Sequence, residues 1–506
     1  MGKGDPTVLQ DSSVTLTDCH VTDGRPEMKR LMALTIAACL ALSSCRAGAA
    51  RTSHQAAHAA ERPNIVFVLT DDLASNLVPY MPQLQRMERQ GTTFTHYFVT
   101  DSLCCPSRST TFTGKFPHDT GVFTNSGADG GYRAFNAHGN QRNTFATALR
   151  SAGYRTAMMG KYLNGYQPAD PVPPGWSEWD VAGDGYPEFD YSLNENGRVV
   201  RYGHRPSDYL TDVLNRKGQD FIARSARAGQ PFMMELATFA PHGPFTPAPR
   251  DAARFPGLKA PRGPAFNEAD MSDKPAWIKD HPELTAKQIN KIDTSFRKRA
   301  QAVQAVDKML GDLQAALKAN GVERDTYLVF GSDNGFHMGE HRLTQGKMTA
   351  YDTDVNVPLV VTGPGVAAGH RTSALAQNTD LCPTFETLGG VKVPDAVDGR
   401  SLTPFFTGDT VKDTRDAVLV EHHGPDNAVN DPDRPTEASG NPPSYEAVRT
   451  AHEVYVEYAD GEREYYDLAK DPDELDNTVG RVPAKRLARL RSTLHRLEKC
   501  SGTACR

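Results

Sequence analysis

Basic residues are not in excess in this chain. Its 56 Lys and Arg face 62 Asp and Glu, and a formal charge of -6 over 506 residues argues against a nucleic-acid partner. The conspicuous apolar run near the start, Leu31 to Leu42, is too short to cross a bilayer as a helix of about 20 residues. No internal repeat is present, which excludes a solenoid or array. No Cys/His cluster at zinc spacing accompanies the acidic pairs described below. What is present is 38 % apolar residues with 42 Gly and 35 Pro, the composition of a loop-rich globular protein, neither fibrous nor disordered. The length allows a large core, in one big domain with a smaller one or in two comparable ones.

The start reads as a targeting segment. Met28-Lys29-Arg30 is a basic n-region ahead of the apolar run, as in a signal peptide. Leu42-Ser43-Ser44-Cys45 resembles a bacterial lipobox, in which Cys45 would carry a lipid anchor to the membrane. Ala47-Gly48-Ala49 offers an ordinary cleavage site instead. Met1 to Glu27 reads as an upstream extension, so residues 1–50 are set apart and the mature chain is expected to start between Cys45 and Ala50, exported. Of the eight cysteines, Cys19, Cys39 and Cys45 lie in or before this signal. Cys104, Cys105, Cys382, Cys500 and Cys505 remain. Cys500 and Cys505 close a short loop, where an oxidising compartment favours a disulfide over two free thiols.

Four apolar runs of strand length each lead into polar residues. Asn64 to Thr70 ends at Asp71-Asp72, Tyr154 to Met159 at Gly160-Lys161, and Thr326 to Phe330 at Asp333-Asn334; Pro231 to Thr238 leads to His242. Near-continuous runs alternating with helices, such as Ser295 to Leu317, predict a mainly parallel α/β sheet covered on both faces. Ligands then bind beyond the carboxyl ends of the strands, so four runs delivering polar groups to one edge imply a shared site. This catalytic domain is expected over 63–406. Beyond it, over 407–506, Val454, Val456 and Tyr458 alternate ahead of an Asp460-Gly461 turn, and Leu487, Leu490, Leu494 and Leu497 mark a closing helix. That predicts a smaller antiparallel sheet and helix. His422 to Ser444 reads as a surface loop, and Pro247 to Pro282 as a rim over the site.

Asp71-Asp72 and Asp333-Asn334 offer the carboxylate and amide oxygens that hard cations such as calcium take. Either pair alone reads as solvated turn residues; two pairs converging on one edge need a cation. Cys104-Cys105-Pro106-Ser107-Arg108 precedes a short helix that Gly114 would cap, with Lys115 following. Cys104 then sits by a helix N-terminus, where free amides favour anions, and Arg108 adds a guanidinium fork. A buried structural Cys pair, a redox thiol and a thiolate nucleophile all remain open, since no general base for Cys104 is identifiable.

C-x-P-S-R followed by a small-residue helix and T-G-K resembles the signature of type I sulfatases, whose leading cysteine is oxidised to formylglycine. Asp71-Asp72, Gly160-Lys161, Ala240-Pro-His242, Ser332-Asp-Asn-Gly335, Gly346-Lys347 with Tyr351, and Asp471-Pro472 follow in that family's order, from Pro63 to about Arg506. Lys161-Tyr-Leu-Asn164, Tyr209-Leu-Thr-Asp-Val213, Phe296-Arg-Lys-Arg299 and Cys500-Ser-Gly-Thr-Ala-Cys505 look most like N-acetylglucosamine-6-sulfatases, which act on glycosaminoglycans. Many members of that family carry a His two residues after the motif lysine, where Leu163 stands here; its role would pass to another group, with Asn164 and His118 as candidates, or to none.

The resemblance implies an alkaline-phosphatase-like sheet and a reaction on sulfate monoesters of sugars or aryl alcohols. Calcium would lie on Asp71, Asp72, Asp333 and Asn334 and touch residue 104, whose formylglycine hydrate attacks sulfur. Arg108, Lys115, Lys161 and Lys347 would neutralise the sulfuryl oxygens, and His242 would protonate the leaving oxygen. A formylglycine-generating enzyme is the implied partner. Two other functions stay open: a phosphomonoester or phosphonate hydrolase of the same superfamily, and a silent surface protein that binds sulfated glycans.

Overall fold

The computed structural model describes residues 62–412, 414–429 and 431–506, so the signal segment, the upstream extension and Cys45 lie outside the described residues. The four apolar runs are realised as strands β1 (Asn64–Thr70), β2 (Arg155–Lys161), β4 (Phe232–Ala237) and β5 (Thr326–Ser332), and β3 (Glu178–Ala182) joins them. They lie in the order β5-β1-β4-β2-β3, all parallel, at the centre of a ten-stranded sheet. Antiparallel pairing enters on both sides: Leu359–Thr362 pairs with β5, and Ser192–Glu195 pairs with β3.

Both faces of the sheet are covered, which is why the central runs lack a polar face. Ile65, Phe67 and Leu69 point into one core while Val66 and Val68 point into the other. Full burial of each such side chain is worth about 1.5–3 kcal/mol. The second core is closed by two helices, α2 (Leu210–Arg227) and α3 (Ala286–Ala319). α3 starts before the predicted Ser295 because Thr285 and Gln288 cap it reciprocally. Ahead of both in sequence, α1 (Cys104–Thr113) is buried along its whole length against the first core.

Register decides where the polar residues arrive. Thr70 lies opposite Ser332, so Asp71 and Asp333 leave adjacent strands side by side. Gly160 lies opposite Ala237. It adopts φ 102°, and a Cβ there would come within 1.9 Å of the Ala237 carbonyl oxygen, so glycine is needed to bring Lys161 to the same edge.

A four-stranded antiparallel sheet, β6 (Val418–His422), β7 (Tyr445–Arg449), β8 (Glu453–Tyr458) and β9 (Arg463–Asp467), follows. Val454, Val456 and Tyr458 join the first core of the main sheet, while Tyr455 packs under α4 (Ala484–Leu497) with Leu490, Leu494 and Leu497. Cys500 and Cys505 are joined as a disulfide. In the stretch 247–282, expected as a rim over the site, Lys274 is buried, pairs with Glu268 and donates to the Glu474 and Leu475 carbonyls. Among the described residues, no helix is long and apolar enough to cross a membrane.

Candidate active site

α1 begins at Cys104 and ends at Gly114, whose φ of 70° closes it. Nearly every side chain of this polar helix is buried, so its hydroxyls and guanidinium need partners. Ser107 donates to the Asp333 carbonyl, Thr100 donates to Thr110 at 3.1 Å, and Asn378 donates to Ser107 at 3.0 Å. Arg108 is fully buried: Nε donates to Asp333 Oδ2 at 2.8 Å and Nη1 to the Lys161 carbonyl at 2.9 Å. It therefore ties the ends of β2 and β5 to the helix.

Cys104 Sγ lies at the centre of what these strands deliver. Lys347 Nζ donates to it at 2.9 Å, and the thiol faces Asp71 Oδ1 at 3.1 Å and Asn334 Oδ1 at 3.6 Å. Burial, then Asp433 and Asp71, push the thiol well above its ordinary range, so position 104 holds a neutral thiol here and is ill suited to act as a thiolate. Asp72 turns towards the cluster in a left-handed conformation, φ 63°, which Asp tolerates at a cost of about 1 kcal/mol or more. Its Oδ1 accepts from Lys347 Nζ and Asn334 Nδ2, both at 2.7 Å. Asp333 Oδ1 accepts the Asp72 amide at 3.1 Å. Lys161 Nζ donates to Asp71 Oδ2 at 2.5 Å and lies over the Tyr186 ring.

Four carboxylates, Asp71, Asp72, Asp333 and Asp433, thus meet Arg108, Lys161 and Lys347 in a water-poor site. Burial raises Asp71, but Lys161, His242, Arg108 and Lys347 together hold it well below the usual carboxylate range. Burial and Asp71 push Asp333 up to about 6. Ligand atoms of Asp71, Asp72, Cys104 and His242 all lie within 4.8 Å of one another, a grouping that fits a metal ion. The Asn334 amide oxygen, close to Sγ, adds an oxygen donor. Carboxylate and amide oxygens around one point suit a hard cation.

His242 faces this cluster through Nε2, 3.6 Å from Asp72 Oδ2, while Nδ1 meets the Gly243 carbonyl at 2.8 Å. Burial lowers its proton affinity, but Asp72, Asp433 and Asp71 raise it to about 9, so the ring holds a proton at neutral pH. The structure therefore gathers Asp71, Asp72, Cys104, Arg108, Lys161, His242, Asp333, Asn334 and Lys347. Lys115 is the exception. It follows the far end of α1, ten residues of about 1.5 Å rise from Cys104, and no hydrogen bond or ion pair joins its side chain to the cluster among the described residues. His118 is also elsewhere, between Glu421 at 2.7 Å and the Cys500 carbonyl at 2.8 Å. Leu163 packs into the first core and, with Asn164, lines the cleft beside Lys161.

Sequence reasoning missed two residues. Asp433 lies in the stretch 422–444 read as a surface loop, yet its side chain is 3 % exposed. Its Oδ1 accepts from His242 Nε2 at 2.6 Å and lies 2.9 Å from Lys347 Nζ, and its Oδ2 accepts from Asn125 at 2.8 Å. A Pro- and Asp-rich loop carries no periodicity, so nothing local marks Asp433 as buried. Arg299 on α3 donates to the Asp72 carbonyl and stacks 4.2 Å over Phe336, holding the strained turn from behind. A cleft of about 630 Å³ opens beside Lys161 and His242, with Asn125, Asn164, Tyr186 and Asp431 in its walls.

The chain is similar to known proteins over most of its length. Residues 63–391 match the family described as Sulfatase, and 339–500 match the one described as N-sulphoglucosamine sulphohydrolase, C-terminal. The N-acetylglucosamine-6-sulfatase of Homo sapiens is 33 % identical over 94 % of this chain and 90 % of its own. The extracellular sulfatase SULF-1 homolog of Drosophila melanogaster is 34 % identical over 74 % of this chain and 35 % of its own. A protein solved in complex with its substrate D-glucosamine-2-N,6-O-disulfate superposes with a TM-score of 0.71 at 26 % identity, over 87 % of this chain and 98 % of that one.

Proposed function

The chain belongs to the sulfatase family and is a sulfuric ester hydrolase, and from that premise we propose that it releases the 6-sulfate of glucosamine-type sugars, using a formylglycine formed from Cys104 beside a calcium ion. The observation that carries this reading is the convergence of Lys347, Asp71 and Asn334 on Sγ of residue 104. The likeness to N-acetylglucosamine-6-sulfatase and to the glucosamine disulfate complex supports the substrate class.

Asp71, Asp72, Asp333 and Asn334 would hold the calcium, whose chemistry is Lewis-acid polarisation of a sulfuryl oxygen. Formylglycine supplies an oxygen nucleophile where the thiol stands. Lys347 and Lys161, both poised at Asp carboxylates, neutralise charge that grows on the sulfuryl oxygens. Arg108 fixes the Asp333 carboxylate and holds the end of β2. His242 donates its Nε2 proton to the leaving sugar oxygen, a role worth about 10²- to 10⁴-fold. Asp433 holds that proton in place. Lys115 has no part in this scheme.

Conversion of Cys104 requires a formylglycine-generating enzyme. The relatives include extracellular sulfatases, and export, with secretion or a lipid anchor at Cys45, is part of the same proposal. Mass spectrometry of the peptide bearing Cys104, on protein whose turnover of glucosamine 6-sulfate is measured in parallel, tests the reading. An unmodified thiol in fully active protein would overturn the formylglycine; nitrophenyl phosphate cleaved faster than nitrophenyl sulfate would overturn the sulfate preference.

A further inference from the structure

Two hollows meet at His242. The larger, of about 630 Å³, carries Asp184 and Asp431 in its walls, and the Lys161 that it also exposes is already neutralised by Asp71. The smaller, of about 220 Å³, lies on the other side of His242, Gly243 and Pro432 and reaches down to Lys347. Its outer wall holds Lys291, from the first third of α3, and Arg434, from the loop that delivers Asp433. Both are exposed, and among the described residues no ion pair or hydrogen bond holds either side chain. The two carboxylates in this hollow, Asp72 and Asp433, are taken by Lys347 and His242.

One side of the reaction centre is therefore acidic and the other carries two unspent cations. A sugar with only a 6-sulfate feels little of this difference beyond the centre. A sugar that carries a second anion is repelled from the Asp184 and Asp431 side and attracted towards Lys291 and Arg434, so the charge pattern sets its orientation. Resting on the sulfatase reading above, we infer that the smaller hollow is a subsite for a second anionic group of the substrate, a sulfate or carboxylate, bound by Lys291 and Arg434. The group can sit on the same sugar, as an N-sulfate, or on the neighbouring one, as a uronate carboxylate. Gln345 and Ser295, joined to each other at 2.6 Å in the same wall, add polar contacts for its oxygens.

The test compares kcat/KM for glucosamine 6-sulfate, glucosamine 2-N,6-O-disulfate and a uronate-containing 6-sulfated disaccharide, in the native enzyme and in Lys291→Ala, Arg434→Ala and the double variant. Both residues are exposed and unpaired, so the variants keep the fold. Exposed charge pairs predict a preference of about three- to tenfold for at least one dianionic substrate, expressed in KM and weakened by salt. Each single variant should remove part of it, and the double variant all of it, with glucosamine 6-sulfate turnover unchanged. Preference for the disulfate identifies the N-sulfate as the anion, and preference for the disaccharide identifies the carboxylate. Equal rates on all three substrates in the native enzyme, or an equal loss on all three in the variants, would overturn the subsite. Absence of sulfate release from every sugar, with nitrophenyl sulfate still cleaved, would instead overturn the sugar reading on which it rests.

Discussion

Glu235 is a buried carboxyl that the site does not use. It sits on β4 with Phe67 and Met158 beside it in register, fully buried, and neither carboxylate oxygen has a hydrogen-bond partner among the described residues. Burial pushes its carboxyl from 4.5 up to about 8, with Arg108 pulling weakly the other way. The folded chain thus keeps a proton on Glu235 that the unfolded chain releases above pH 4.5. The stability that this neutral carboxyl supports is complete below pH 4.5 and is lost steadily as pH rises to about 8. At about 1.4 kcal/mol per pH step, the loss at pH 7 is about 3 kcal/mol. Glu235→Met has similar volume and removes the proton linkage, at a repacking cost below about 1.5 kcal/mol. The variant should therefore be about 2 kcal/mol more stable than the native protein at pH 7, and the gap should close or reverse near pH 4.5. Urea midpoints for both proteins across that range measure it. A variant less stable at pH 7, or a gap that does not change with pH, would refute the reasoning.

Lys161→Ala should lower kcat about 10²-fold or more, because it removes a cation held against Asp71, while Lys115→Ala should stay within about twofold of native; steady-state kinetics with glucosamine 6-sulfate separates the two. Asp433→Asn takes away one of the carboxylates that keep His242 protonated up to about 9, so the alkaline limb of the kcat profile should move to lower pH, and an unmoved limb would remove Asp433 from the mechanism. Dialysis against a calcium chelator should abolish turnover, with calcium restoring it better than magnesium, which favours tighter octahedral sites. The same dialysis should lower thermal stability, since an ion held at 100 times its Kd contributes about 2.7 kcal/mol; unchanged melting and activity would refute a bound cation.

Local pattern was enough for the strands and for much of the site. Asn64–Thr70 is buried on both faces, so its apolar run is continuous and its polar stop at Asp71 is sharp. Gly114 marks a helix end because only a left-handed residue closes α1 there. Adjacency to a motif says nothing of which end of a helix a side chain occupies, and ten residues of helix separate Lys115 from Cys104.

The sequence by itself determined that polar groups end several parallel strands, that Cys104 heads a helix and that Asp71, Asp72, Asp333 and Asn334 are of oxygen-donor type. These follow from chain-local properties, the periodicity of burial and the chemistry of neighbours. Only the tertiary structure decided that Asp433 and Arg299 belong to the site, that His118 does not, and that one side of His242 is acidic while the other is basic. Such facts depend on loop paths and strand register, which bring together residues as distant in sequence as Asp72 and Asp433, 361 positions apart, without leaving any pattern along the chain.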